Sequence, residues 1–261
     1  MTNQPIFAFT DCKDSNAIVR LTARLQALFP DKPIYASGIN SDLEASGCIV
    51  DTLDALRKGL NSHIIIGNLA PREEKKHKNG APFYFGYTKD EIVIANYTCF
   101  SLCAKLGLID TIYETDVETV CREFLDEDEA KRIANSQFRS FEYVPLLAMW
   151  VYEKKDIPST EISIHPNANQ KIWWVDNFGN VKTTFTRDEI LFKVKDGKVD
   201  ISINDNVMTF PFYEKLSDVP VNESAVIIGS SGYGNTRFAE IVIQGKSAAN
   251  EFKLSVGDTL E

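Results

Sequence analysis

Thr10-Asp11 closes the first apolar run of the chain and puts a carboxylate off the carboxyl end of a strand, where open α/β sheets hold their ligands. A carboxylate there can accept two ribose hydroxyls through charge-assisted hydrogen bonds, or it can cap the helix that follows. Val175-Asp176-Asn177-Phe178-Gly179-Asn180 reads as strand, turn and strand, with the glycine supplying a positive φ. Ser230 and Ser231, before Gly232, follow a strand and offer backbone N–H groups suited to an amino-acid carboxylate. The run Arg72-Glu73-Glu74-Lys75-Lys76-His77-Lys78-Asn79-Gly80 is either a solvated loop or a lid that carries a cation into a site. The cysteines Cys12, Cys48, Cys99, Cys103 and Cys121 lack paired zinc spacing and read as reduced, buried thiols, so no metal is expected. A glycine-rich phosphate loop is a poor reading, because no Gly-Lys-Ser/Thr follows a strand in the Gly-rich context it needs. His63, His77 and His165 read as structural or solvated.

These residues need a scaffold, and the chain shows two textures. The first half alternates strand and helix signals. Ile6–Phe9, Ile34–Ala36 and Ile64–Ile66 are short apolar runs, and Ile18, Leu21, Leu25 and Leu28 recur at helical spacing up to Pro30. Phe83–Phe85 and Ile92–Ile94 suggest a hairpin about Thr88-Lys89-Asp90, and further helices are expected near 97–106 (with Asn96 as cap), 117–135 and 140–153. Past the polar, proline-bearing stretch 157–169, short β-branched and aromatic runs alternate with turn formers such as Asp196-Gly197 and Asn204-Asp205. The predicted architecture is an α/β domain over 1–156 with a mainly parallel sheet, a linker over 157–169, and a smaller, barrel-like antiparallel β domain over 170–261.

Composition narrows the class. The 44% apolar and 25% charged residues belong to a folded globular chain, and no apolar run approaches the ~18–20 residues that span a bilayer. The N-terminal stretch has neither a basic region nor a long apolar core, so it does not read as a signal peptide, and a cytoplasmic protein is expected. The net charge of -9 disfavours nucleic-acid backbones and suits a cationic ligand.

Taken in order, Asp176–Asn180, Ser230–Tyr233 and Gly245-Lys246-Ser247-Ala248-Ala249 through Val256-Gly257-Asp258 resemble the C-terminal domain of the S-adenosylmethionine hydroxide adenosyltransferase family, which also contains fluorinases and chlorinases. The resemblance is specific over the last ~90 residues and faint over the first ~150. It implies that Asp176, Phe178 and Asn180 hold adenine, that Ser230 and Ser231 hold the methionyl carboxylate, and that Ser247 and Ala248 lend backbone contacts to the purine. In the first half, Thr10-Asp11 matches the start of the family's Thr-Asp-Phe-Gly, which implies that Asp11 holds the ribose. Further along, Asn68 stands where the family has an Asp, Lys75 where it has an Arg, and Arg139 where it has a His. Asn68, Lys75 and Arg139 are therefore the implied catalytic positions, although neither Asn68 nor Arg139 takes a proton at neutral pH. Glu142 and Pro145 agree with the family pattern in kind, whereas the segment from Ala95 to Leu102 keeps only its serine, and 234–238 is an insertion containing Arg237.

The expectation is a binder of S-adenosylmethionine, as substrate or ligand with no other cofactor. Hydrolysis would give adenosine and methionine through water attack at C5′. The alternative is a catalytically silent adenosine-binding or scaffold protein of the same descent. Halide as nucleophile is a second, weaker alternative, because nothing marks a small, dry anion cage. The resemblance also implies a homotrimer with sites at subunit interfaces and no nucleic-acid or membrane partner.

Overall fold

The computed structural model describes residues 4–59, 62–69, 81–166 and 170–261. The chain divides into two compact units, 1–49 with 58–166, and 50–57 with 167–261.

The first unit opens with β1 (Ile6–Thr10), α1 (Ser15–Leu28), β2 (Ile34–Gly38), α2 (Asp42–Leu56, whose residues from Val50 group with the second unit), β3 (Ile64–Asn68), β4 (Phe83–Tyr87) and β5 (Ile92–Ala95). A 3-10 turn (Tyr97–Phe100) leads into α3 (Ser101–Lys105), β6 (Thr111–Thr115), α4 (Val117–Phe124), α5 (Glu127–Ala134), α6 (Arg139–Tyr152) and β7 (Thr160–Ser163). The seven strands form one sheet in the order β2-β1-β3-β5-β4-β6-β7. The parallel character predicted from sequence holds for β2-β1-β3-β5, while β4, β6 and β7 add antiparallel pairs.

Alternation explains the packing. Ile6, Ala8, Ile64, Ile66, Ile92 and Ile94 face a core shared with Leu21 and Leu25 of α1 and with Val144, Leu147 and Ala148 of α6. Ile65 and Val93 point the other way and are also buried, which is why β3 reads as a continuous apolar run. The predicted β4–β5 hairpin is present, and the Thr88 hydroxyl accepts the Glu91 N–H at 2.9 Å across its turn. The single helix expected over 117–135 is two helices. Leu125 returns to extended backbone, and Asp126 then caps α5 by accepting the Glu129 N–H.

The second unit contains β8 (Gln170–Val175), β9 (Val181–Thr186), α7 (Arg187–Lys193), β10 (Lys198–Ile203), β11 (Asn206–Tyr213), β12 (Ser224–Tyr233), β13 (Thr236–Ile243), α8 (Ala248–Phe252) and β14 (Thr259–Leu260). Its strands close a barrel in the order β10-β11-β12-β13-β9-β8-β14. The pairing is antiparallel except between β11 and β12. Val199, Ile201, Ile203, Ala239, Ile241 and Ile243 alternate into the barrel core. Asn204 and Asp205 both take positive φ, which matches the twist needed by a two-residue hairpin turn. Among the described residues no helix is long and apolar enough to cross a membrane.

The capping box of α7 gives a local test. Thr186 accepts the Glu189 N–H, and the Glu189 carboxylate accepts the Thr186 N–H at 2.7 Å. Thr186→Ala should cost about 0.5–2 kcal/mol, read as an earlier urea midpoint, and an unchanged midpoint would show that the box adds nothing.

Candidate functional site

In the first unit the parallel strands β1, β3 and β5 all run out into polar residues at one edge: Thr10-Asp11, Asn68 and Asn96. The register pairs Thr10 with Asn68 and Gly67 with Ala95. The helix-capping alternative for Asp11 does not hold, because the N-cap of α1 is Asp14, which accepts the Ala17 N–H at 3.0 Å. Asp11 instead stands half-buried just past β1.

Asn68 is the most telling residue of this edge. It is 2% exposed, and among the described residues neither its amide nitrogen nor its amide oxygen has a hydrogen-bond partner. Each buried orphan of this kind costs on the order of 1–3 kcal/mol. The Tyr143 hydroxyl and the Trp173 indole N–H are also orphaned, but only Asn68 leaves both a donor and an acceptor open among the described residues. A buried amide without a described partner, where the parallel strands end, makes this edge a candidate site for a small polar molecule.

Asn96 behaves otherwise. It precedes the 3-10 turn but makes no side-chain cap. Its amide N–H₂ donates to Asp42 at 3.3 Å, and its carbonyl accepts the Cys99 thiol at 2.7 Å. Burial, then Asp42, Cys103 and Asp11, push that thiol well above its ordinary 9.0, so Cys99 is a weak donor and not a nucleophile. Burial alone takes Cys103 up to about 12.

Arg139 comes to the same edge from the other side of β5. It begins α6 and donates from Nη2 to the Ala81 carbonyl at 3.3 Å. Ala81 precedes β4, whose Phe83 and Tyr84 pair with Thr115 and Ala95, so the start of β4 and the ends of β5 and β6 coincide. Through Ala81 the Arg139 guanidinium is tied to the segment that leads into β4, two strands from β3 in the sheet. Burial lowers its pKa, and Asp116 acts against that shift. Glu142 does not join it, because its carboxylate is engaged by Arg24 at 2.5 Å and Arg132 at 3.3 Å. His63 is buried against Glu91, and His165 is exposed beyond β7. Lys75, His77 and the charged run around them lie outside the described residues.

The second unit gathers the C-terminal motifs. Asp176 organises the turn between β8 and β9. Its carboxylate accepts the N–H groups of Phe178 and Asn180, both at 2.9 Å, and the Asn180 side-chain amide at 3.0 Å. Gly179 takes φ +83°, and a Cβ there would collide with the Ser247 side chain. The Gly179 carbonyl accepts the Ala249 N–H at 3.0 Å, so the turn is bolted to the segment Ser247–Ala249. Ser247 caps α8 by accepting the Asn250 N–H, and Ala248 is fully buried beneath it. Phe178 does not fill the core, since its residue is 72% exposed. Asn180 keeps one amide hydrogen and its carbonyl oxygen unused among the described residues, a donor and an acceptor side by side.

Ser230 is exposed and Ser231 buried at the end of β12. Sequence reasoning missed their partners. The Ser231 hydroxyl and the Gly232 N–H hold Asp51, the latter at 2.9 Å, and the Gly234 N–H holds Asp54 at 2.8 Å. Arg237, from the insertion, pairs with Asp54 at 2.8 Å and covers the turn by bonding the Ser230 carbonyl at 2.9 Å. Lys182 and Glu240 form a mostly buried ion pair at 2.5 Å. The available sign of the first contact was two acids three residues apart on α2, beside the apolar Val50 and Leu53. Among the described residues no group of three potential metal ligands occurs.

Residues 170–261 match the family described as SAM hydroxide adenosyltransferase C-terminal domain. The whole chain is similar in fold to an uncharacterised conserved protein from Thermotoga maritima, with TM-score 0.67, 16% identity, and coverage of 98% of this chain and 99% of that one. It is also similar to a conserved hypothetical protein from Thermus thermophilus, with TM-score 0.61, 13% identity, and 99% of each chain covered. No curated protein matches the chain in sequence.

The orphaned amide predicts a trade between stability and binding. Asn68→Leu should raise the thermal midpoint of the ligand-free protein, because an apolar side chain of similar size removes a cost on the order of 1–3 kcal/mol. A lowered midpoint would show that the amide is already satisfied.

Proposed function

Since residues 170–261 match the C-terminal domain of the SAM hydroxide adenosyltransferase family, we propose that the chain binds an adenosyl compound of the S-adenosylmethionine class. The observation that carries this reading is the junction of the Asp176–Asn180 turn with Ser247–Ala249. There a half-free asparagine amide and a projecting phenylalanine ring stand beside a short helix cap. An asparagine with a donor and an acceptor free suits the edge of adenine, which presents both. Phe178 offers its face to the purine. In this reading Asp11 takes the ribose hydroxyls, as the Thr10-Asp11 match to the family implies, and the -9 net charge suits a sulfonium.

The chemistry open to such a ligand is in-line attack of water on C5′, with the thioether leaving as a neutral group. Little acid–base help is needed at the leaving sulfur, but the attacking water must lose a proton. Asn68 can hold that water through its open amide and cannot take its proton, and Arg139 stays protonated. Hydrolysis is therefore expected to be slower by about 10²–10⁴ than with a general base in place. Binding, with slow or absent turnover, is the function proposed. A homotrimer belongs to the same reading, in which a second copy completes what the matched domain offers alone.

Titration calorimetry with adenosine tests the binding half. Asn180→Ala should weaken binding by about 1–3 kcal/mol, and equal affinities would reduce Asn180 to a turn residue. Chromatographic assay of adenosine release tests the chemical half. Asn68→Asp should raise the rate above that of the parent chain, whereas fast parental turnover indifferent to Asn68→Ala would overturn the role given to Asn68. Light scattering at micromolar concentration should give a trimer, and a stable monomer would remove the assembly from this reading.

A further inference from the structure

The end of β12 and the turn that follows it hold two carboxylates of the chain itself. Gly232 donates its N–H to Asp51 at 2.9 Å, Gly234 donates to Asp54 at 2.8 Å, and the Ser231 hydroxyl also bonds Asp51. Gly232 takes φ +124°, and a Cβ there would collide with the Thr236 carbonyl, so the conformation that aims these N–H groups is open only to glycine. Arg237 closes the other side. Its Nη1 reaches Asp54 at 2.8 Å and the carbonyls of Ser230 and Gly232 at 2.9 and 3.2 Å. Both acids come from residues 50–57, which belong to the same unit as the loop.

The cations near this turn are already engaged, whereas Asp51 is held by neutral donors. Arg237 and Arg57 both pair with Asp54, and Lys182 pairs with Glu240. A carboxylate arriving at this loop finds its N–H donors taken and its cations engaged, and it meets two carboxylates in place. Seating it would mean expelling Asp51, a mostly buried side chain, from the bonds that compensate its burial. A cationic tail meets no such obstacle, since it requires no N–H donor and gains from the nearby carboxylates.

We infer that the second unit selects adenosyl ligands lacking an amino-acid carboxylate, because the loop that would receive that group is filled by Asp51 and Asp54. The inference rests on the adenosyl reading above and narrows it from S-adenosylmethionine to sulfonium or thioether nucleosides with an uncharged or cationic tail.

The decisive probes are S-adenosylmethionine and its decarboxylated analogue, which differ in the carboxylate alone, titrated calorimetrically into the intact protein. The decarboxylated sulfonium should bind at least about tenfold more tightly. Asp54→Asn keeps an acceptor for the Gly234 N–H while leaving Arg237 without its charge partner, so it should narrow that gap about fivefold or more. Parent-like circular dichroism checks the fold of the variant, and the comparison in the parent chain stands without it. A parent that binds adenosine yet takes the carboxylated sulfonium equally or better overturns the selectivity alone, as does a folded Asp54→Asn chain with the gap unchanged. A parent that binds neither adenosine nor either sulfonium overturns the adenosyl reading and the selectivity with it.

Discussion

The carboxylate of Asp176 is the constraint on which the C-terminal site depends. It gathers two backbone N–H groups and one side-chain amide from the four residues that follow it. Hydrogen bonds to a charged acceptor contribute on the order of 1.5–3 kcal/mol each, enough to hold a short turn against its conformational entropy. With the turn fixed, Gly179 can come so close to Ser247 that no side chain fits between them. The same interaction turns Asn180 so that part of its amide stays available and leaves Phe178 projecting into solvent. Local electrostatics thus shapes a surface whose open groups are polar on one side and aromatic on the other.

The N-terminal unit is organised by a different cost. Its parallel strands bring Thr10, Asn68 and Asn96 to a common edge, but the polar groups there are unequally satisfied. Asn96 is consumed by Asp42 and Cys99, whereas the buried Asn68 amide has no partner among the described residues. A chain selected for stability alone would gain by replacing that amide with an apolar side chain, so its presence points to something it binds. The Asn68 amide itself cannot accept a proton. That separates holding a water from activating one, and it is why binding rather than fast turnover is proposed.

Much of this was readable in the sequence where the physics is local. Short apolar runs announced β1 and β3, β-branched and aromatic runs announced the barrel strands, and the Asp-x-Phe-Gly-Asn turn declared itself because its partners are two to four residues apart. Tertiary contact decided the rest. Asn96 looked like a helix cap, but its amide is taken by Asp42, 54 residues away. Asp11 read as either a cap or a ligand carboxylate, and only the start of α1 at Ser15, capped by Asp14, removes the first of these. The filling of the Ser231–Gly232 loop by Asp51 joins residues 181 apart, and no spacing rule reaches that far. The break between α4 and α5 was missed because Leu125-Asp126 continues the helical apolar pattern while its backbone leaves the helix.

The central claim, that the Asp176–Asn180 turn with Ser247–Ala249 is an adenine site, is tested most directly by a crystal structure of the protein soaked with adenosine. The account predicts purine density with its edge within hydrogen-bonding distance of the Asn180 amide and its face beside Phe178. Adenosine found ordered elsewhere, or absent from that turn at saturating concentration, would contradict it.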